Sequence, residues 1–152
     1  MAIVEKANGK IRICIDPQAL NKVLLGEFYN LATLDDILAD LNDAKIFSKL
    51  DVQEAFWHVR LDATSSNLTA MITPFGRYKW KRLPFGLKVS SEIFQRRLNL
   101  ALEGLKGCFN YVDDIIVVGR GRTKEEALRD HDINLKELMK RCQEKKIKLN
   151  YE

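Results

Sequence analysis

Apolar and polar positions along the chain change period several times, and each change predicts an element. Over residues 10–16 the two classes alternate after an Asn8-Gly9 turn signal, which predicts a hairpin whose second strand buries Ile11, Ile13 and Ile15 on one face. Asp16-Pro17 ends that strand, and residues 20–30 carry no clear period. Leu34, Ile37, Leu38 and Leu41 then recur at helical spacing behind a Thr33 cap. Asp35, Asp36, Asp40 and Asp43 read as that helix's solvated side and ends. Residues 45–50 form the next predicted strand, with Asp51 where it ends. Residues 53–56 suit a single turn, and residues 57–61 alternate again with Trp57, Val59 and Leu61 toward the core. Strands over 68–73 and 78–83 flank Pro74-Phe75-Gly76 as a further hairpin. Ser90 or Ser91 caps a helix with Phe94, Leu98, Ala101, Leu102 and Leu105 on one stripe, ending near Gly104 or Gly107.

Two adjacent acids interrupt the next apolar stretch. Phe109, Tyr111 and Val112 precede Asp113-Asp114, and four consecutive β-branched residues, 115–118, follow, so the acids fall at the tight turn of a hairpin. Beyond a Gly119-Arg120-Gly121 turn, Thr123 and Glu126 stand at capping-box spacing. They open a long helix with Leu128, Leu135, Leu138, Met139 and Cys142 on its inner face. Strand alternation resumes over 147–151. This order of elements predicts an α+β fold, an antiparallel sheet backed by helices on one face.

Composition narrows the class. The chain has 152 residues, 46% hydrophobic and 30% charged, which suits one globular domain and excludes disordered and collagen-like chains. A net charge of +4 leans mildly toward polyanionic partners. Its distribution is more informative: residues 63–91 contain no acid but hold Arg77, Lys79, Lys81, Arg82 and Lys88. Basic and aromatic residues interleave there, a pattern of phosphate gripping and base stacking, or equally of an edge strand protected against aggregation. Cys14, Cys108 and Cys142 lack ligand spacing and read as buried small hydrophobes of a reducing compartment, cytoplasmic or nuclear. No apolar run reaches membrane-spanning length. His58 and His131 have no neighbouring Cys or His at zinc spacing and are expected on the surface.

The acids carry the candidate chemistry. Neighbouring carboxylates raise each other's pKa, so a site that keeps both ionised holds a cation, and the hard cation suited to carboxylate oxygens is Mg2+. Asp-Asp as a plain polar turn is the alternative. If the strand ending at Asp51 lies beside the Asp113-Asp114 hairpin, three carboxylates converge and can hold two metal ions, the arrangement that serves phosphoryl transfer.

Five blocks, in this order, resemble a known family: residues 10–17 (KIRICIDP), residues 47–51 (FSKLD), residues 73–78 (TPFGRY), residues 83–88 (LPFGLK) with Phe94-Gln95, and residues 111–114 (YVDD). Together they resemble a reverse transcriptase, an RNA-directed DNA polymerase, and in particular that of Gypsy-type long-terminal-repeat retrotransposons. The resemblance implies a fingers and palm fragment, with fingers at about 1–45 and 63–88 and palm at about 46–62 and 89–152. It implies Asp51, Asp113 and Asp114 as the catalytic, metal-binding triad for two Mg2+ ions, joined by the backbone carbonyl of Val52. Arg12 would reach the incoming nucleotide's phosphates and Phe56 would exclude a ribose 2′-OH. Phe85 and Gly86 would lie against the nascent pair, and Arg77, Lys79, Lys81 and Arg82 would hold the nucleic-acid backbone. RNA or DNA template-primer, deoxynucleotide triphosphates and the rest of a retroelement polyprotein are the implied partners, with no membrane. Gln18 and Asn134 depart from the Arg and His frequent in Gypsy-type relatives. The chain stops where the palm of the family continues, and no thumb or RNase H region follows, which motivates the alternative of an inactive relic or a co-opted nucleic-acid- or protein-binding fragment.

Overall fold

The structure, a computed structural model, describes residues 2–5, 9, 11–26, 38 and 41–150. The helix expected behind Thr33 lies outside the described residues except at Leu38 and Leu41, as do Asn8, Lys10 and Tyr151 at the ends of other expected elements. In chain order the elements are β1 (Ala2–Glu5), β2 (Ile11–Cys14), α1 (Gln18–Val23), β3 (Ala44–Asp51), a 3-10 turn (Ala55–His58) and α2 (Ala63–Leu68). They continue with β4 (Met71–Thr73), β5 (Gly76–Tyr78), α3 (Ser90–Leu102), β6 (Cys108–Tyr111), β7 (Asp114–Arg120) and α4 (Lys124–Lys145). Two compact units result, Met1–Phe28 with Glu54–Ile93, and Tyr29–Gln53 with Phe94–Glu152. Among the described residues no helix is long and apolar enough to cross a membrane.

In the first unit β1 and β2 form an antiparallel ribbon with Ile3 opposite Ile13. The expected buried face is not realised: Ile11 is 65% and Ile13 38% exposed, and of the three isoleucines only Ile15 is buried. Ile15 lies past the strand end, where its N–H donates to the Phe85 carbonyl at 2.9 Å and draws it off the ribbon. The alternation over 57–61 is also divided differently. Trp57 and His58 belong to the 3-10 turn, and the strand-like bonding begins at Val59, whose carbonyl accepts from Leu83. Residues 63–68, with the start of the strand expected from Leu68, are helical instead. Asp62 caps α2 by accepting from the Ser65 N–H at 2.7 Å. The Pro74-Phe75 hairpin forms as β4 and β5, with Met71 opposite Tyr78, but its second strand spans Gly76–Tyr78 and the strand expected over 78–83 does not form.

The second unit is a three-stranded antiparallel sheet, β3-β7-β6, backed by α4. Central β7 buries Ile115, Val117 and Val118 completely, as its β-branched run predicts. On β3 the side chains alternate, with Ala44, Ile46, Ser48 and Leu50 half-buried and Lys45, Phe47, Lys49 and Asp51 outward. In α3, Phe94, Leu98 and Leu102 are buried on the predicted stripe. The capping box at Thr123 and Glu126 is present.

The inner face of α4 differs from expectation. Ala127, His131, Asn134, Leu138 and Cys142 are buried, while Leu128 and Met139 are 49% and 44% exposed. Close approach to the sheet selects the face. A Cβ on Gly119 would stand 2.1 Å from the Ala127 carbonyl oxygen and 2.5 Å from the His131 Cβ, so the absence of a side chain at 119 lets this face of the helix approach the sheet. His131 is therefore not a surface residue; its Nε2 lies 2.9 Å from the Ser48 hydroxyl. Asn134 repays its burial by donating to the Val118 carbonyl at 2.9 Å.

Candidate active site

The β3–β7 register sets Asp51 directly opposite Asp114, and the β6–β7 register sets Tyr111 opposite Asp114. Residues opposite one another on adjacent strands have Cβ atoms roughly 5 Å apart on one face. Asp113 occupies the second place of the two-residue turn between β6 and β7, and its carbonyl accepts from the Val52 N–H at 2.9 Å. The strand pairing expected from the sequence is thus present, and all three acids gather at one end of the sheet. Asp51 is exposed; Asp113 and Asp114 are half-buried.

A side chain not anticipated from the sequence sits among them. The Lys49 ammonium lies 2.8 Å from an Asp114 carboxylate oxygen. Its pKa is raised, first by that hydrogen bond and by the Asp114 charge, then by the charges of Asp51 and Asp113. One cationic position therefore feels all three carboxylates. The strand alternation that turns Asp51 outward also turns Lys49 outward, and that was the readable signal. Asn150, also unanticipated, donates its amide to the Asp51 carboxylate.

The donor set fits a divalent cation. It consists of hard carboxylate oxygens whose negative charge one ammonium offsets only in part, with an amide orienting one of them. Among the described residues no group of three or more His, Cys, Asp or Glu side chains is placed to hold a metal ion by itself. Mg2+ needs only one or two carboxylates from the protein, since it keeps waters and substrate phosphates in its remaining positions. The Val52–Leu149 bridge is bonded through Asp51, Gln53, Lys148 and Asn150, so the Val52 carbonyl takes no part in it.

The other residues singled out from the sequence lie in the first unit. Phe56 is in the 3-10 turn, its ring centroid 4.7 Å from that of Phe85 at a 39° tilt. Gly86 has φ +107, and a Cβ there would stand 1.9 Å from the Ile15 carbonyl oxygen, so the position requires glycine. Asn21 of α1 clasps this loop, donating to the Gly86 carbonyl at 2.8 Å and accepting from the Lys88 N–H at 3.0 Å. Arg12 is in β2, paired with Val4. Arg77, Lys79, Lys81 and Arg82 are all exposed. Lys79 donates to the Asn67 side chain at 2.8 Å and Arg82 to the His58 carbonyl at 3.3 Å.

With this geometry in hand, the chain can be set beside known proteins. Residues 4–152 match the family described as "Reverse transcriptase (RNA-dependent DNA polymerase)", whose members use divalent metal ions. The chain is 37% identical over 147 residues to an enzymatic polyprotein of cauliflower mosaic virus (strain CM-1841), covering 96% of this chain and 21% of that protein. It is 39% identical over 145 residues to the "Retrovirus-related Pol polyprotein from transposon 412" of Drosophila melanogaster, covering 94% of this chain and 11% of the relative. Among solved structures, a foamy viral protease-reverse transcriptase in complex with double-stranded DNA superposes with a TM-score of 0.85 at 26% identity, over 97% of this chain and 25% of the other. The same kind of protein in complex with an RNA/DNA hybrid superposes with a TM-score of 0.75 at 27% identity, over 93% and 18%. The chain thus spans about a fifth of the viral polyproteins it matches. A palm-like sheet with three acids at one end, a match along nearly the whole sequence and the agreement in fold lead to one assignment: this chain belongs to the reverse transcriptase family.

Proposed function

We propose that this chain is the fingers and palm of an RNA-directed DNA polymerase of the Gypsy type, adding deoxynucleotides to a primer on an RNA or DNA template. The observation that carries the reading is the register that sets Asp51 opposite Asp114 with Asp113 in the adjoining turn. The likeness to the transposon 412 polyprotein supports the Gypsy assignment. Residues 1–45 and 63–88 would form the fingers, and residues 46–62 and 89–152 the palm.

Asp51, Asp113, Asp114 and the Val52 carbonyl are the proposed ligands of two Mg2+ ions. Bound there, the metal supplies Lewis-acid chemistry, favouring the ionised primer 3′-hydroxyl and balancing charge on the departing pyrophosphate. The chain's own residues do the positioning. Asn150 orients one Asp51 oxygen, and Lys49 holds Asp114 partnered until substrate arrives. Arg12 neutralises triphosphate charge. The paired rings of Phe56 and Phe85 form an apolar wall, and Phe56 occupies the space of a ribose 2′-OH, the group that separates ribonucleotides from deoxynucleotides. Gly86 lets backbone approach the nascent pair without a side chain in the way. Arg77, Lys79, Lys81 and Arg82 neutralise template or primer phosphates. Template-primer as partner is supported by the DNA and RNA/DNA hybrid in the similar structures, and a polyprotein context by the relatives matched.

The test is single-nucleotide incorporation at enzyme excess, on an RNA template with Mg2+ and deoxynucleotides. The chain is compared with its Asp113→Asn, Asp114→Asn double variant. Incorporation that vanishes in the variant is the expected result. Incorporation that survives the double substitution, or that never occurs, overturns the proposal.

A further inference from the structure

The turn that carries Asp113 has an unusual backbone. Val112, its first residue, has φ +55, a left-handed conformation that β-branched residues avoid. A two-residue hairpin turn demands positive φ at this place, which is why glycine or asparagine usually stands there. Something outside the hairpin must hold valine in it.

Gln95 of α3 is that group. It is 1% exposed, and both ends of its amide are engaged with the hairpin. Its Oε1 accepts from the Val112 N–H, and its Nε2 donates to the Asn110 carbonyl at 3.2 Å. The orientation is unambiguous, because the N–H of Val112 requires an oxygen and the carbonyl of Asn110 a nitrogen. A second bond from Nε2 to the Asn99 side chain at 3.3 Å, one helical turn on, holds the amide in place. An apolar residue would fill this helix position without the desolvation cost of a buried amide. The return on burying one is the grip on the two residues that precede Asp113 and Asp114.

We infer that Gln95 is a positioning residue: it holds Val112 in the left-handed conformation and so sets where Asp113 and Asp114 stand relative to Asp51. The inference rests on reading those acids as a metal site.

The test uses the full 15N-labelled chain, amide exchange, and titration with Mg2+ alone, followed at residues 112–114. In the unmutated chain the Val112 amide should exchange about a hundredfold more slowly than an open turn amide; exchange at the open rate overturns the inference without any mutation. In Gln95→Met, which keeps the volume and loses the bonds, Val112 exchange should rise by about tenfold or more while Ile115 and Val117 keep their rates. Mg2+ binding should weaken severalfold. Val112→Gly added to Gln95→Met should restore most of the Mg2+ binding, because glycine adopts positive φ unaided. Unchanged Val112 exchange in Gln95→Met, or Mg2+ binding weakened equally with and without Val112→Gly, overturns the inference. An unmutated chain with no Mg2+ response overturns the metal reading, whereas the clamp is judged by Val112 exchange.

Discussion

Lys49 and the acids around it form a small electrostatic balance that a single substitution can tip. Removing the ammonium takes away a charge that interacts with all three carboxylates and removes a competitor for Asp114. Lys49→Met is therefore predicted to tighten Mg2+ binding, and only by about threefold, because the ammonium is exposed to water. Calorimetric Mg2+ titration checks it; weaker binding in the variant would contradict the competition argument. The predicted role of Phe56 is sharper in kind. Phe56→Val should relax discrimination against ribonucleotides by about tenfold or more, the scale on which a pocket distinguishes one small group. The measurement is the ratio of kcat/KM for deoxy- and ribonucleotides, and an unchanged ratio would remove the gate assignment. Glycines separate in the same way. Gly86→Ala meets the Ile15 backbone at 1.9 Å and adopts a strained φ, whereas Gly104→Ala has open space and only the strained φ. Gly104→Ala should cost about 1 kcal/mol and Gly86→Ala several times that, compared by urea midpoints.

Elements followed the sequence wherever their signals were local. The capping box opening α4 was readable from Thr123 and Glu126 alone, and Thr123→Ala is predicted to lower stability by about 1 kcal/mol in chemical denaturation. No loss would mean that packing, not the cap, defines the start of that helix. α2 was missed although its cap was also readable: Asp62 and Ser65 stand at cap spacing, but β-branched neighbours drew residues 68–73 into one strand. The face of α4 was legible only in part, because a helical stripe of apolar residues fits Leu128 and Met139 as well as Ala127 and Cys142. Contact with Gly119, on the neighbouring strand β7, selected the second set. The β2 face failed for the converse reason: alternation predicts a one-sided strand but not that something covers the side.

At the scale of the whole molecule, a half-buried thiol links stability to pH. Burial, and secondarily the nearby Cys142, pushes the Cys108 thiol up to about 11 from an ordinary 9.0. An acid held protonated in the folded state stabilises it below the ordinary value and loses that contribution as pH rises through the raised one. Stability should therefore decline between about pH 9 and 11, by about 1 kcal/mol on account of Cys108 once its partial exposure is allowed for. Cys108→Ala should flatten that decline in urea unfolding at about pH 8 and 10.5; an equally steep decline would assign it to other groups.

The sequence by itself determined the family resemblance, the α+β class, the strand ending at Asp51 and the hairpin carrying Asp113 and Asp114. Each rests on residues adjacent in the chain or on motifs in fixed order. Tertiary structure decided that Asp51 and Asp114 stand opposite one another, that Lys49 and Asn150 contact the acids, that His131 is buried against Ser48 and that Gln95 holds Val112. Those are contacts between residues far apart in the chain, and no periodicity encodes a partner on another element. Local pattern selects which element forms and which residues can face inward; the register between strands and the approach of helices determine what each side chain meets.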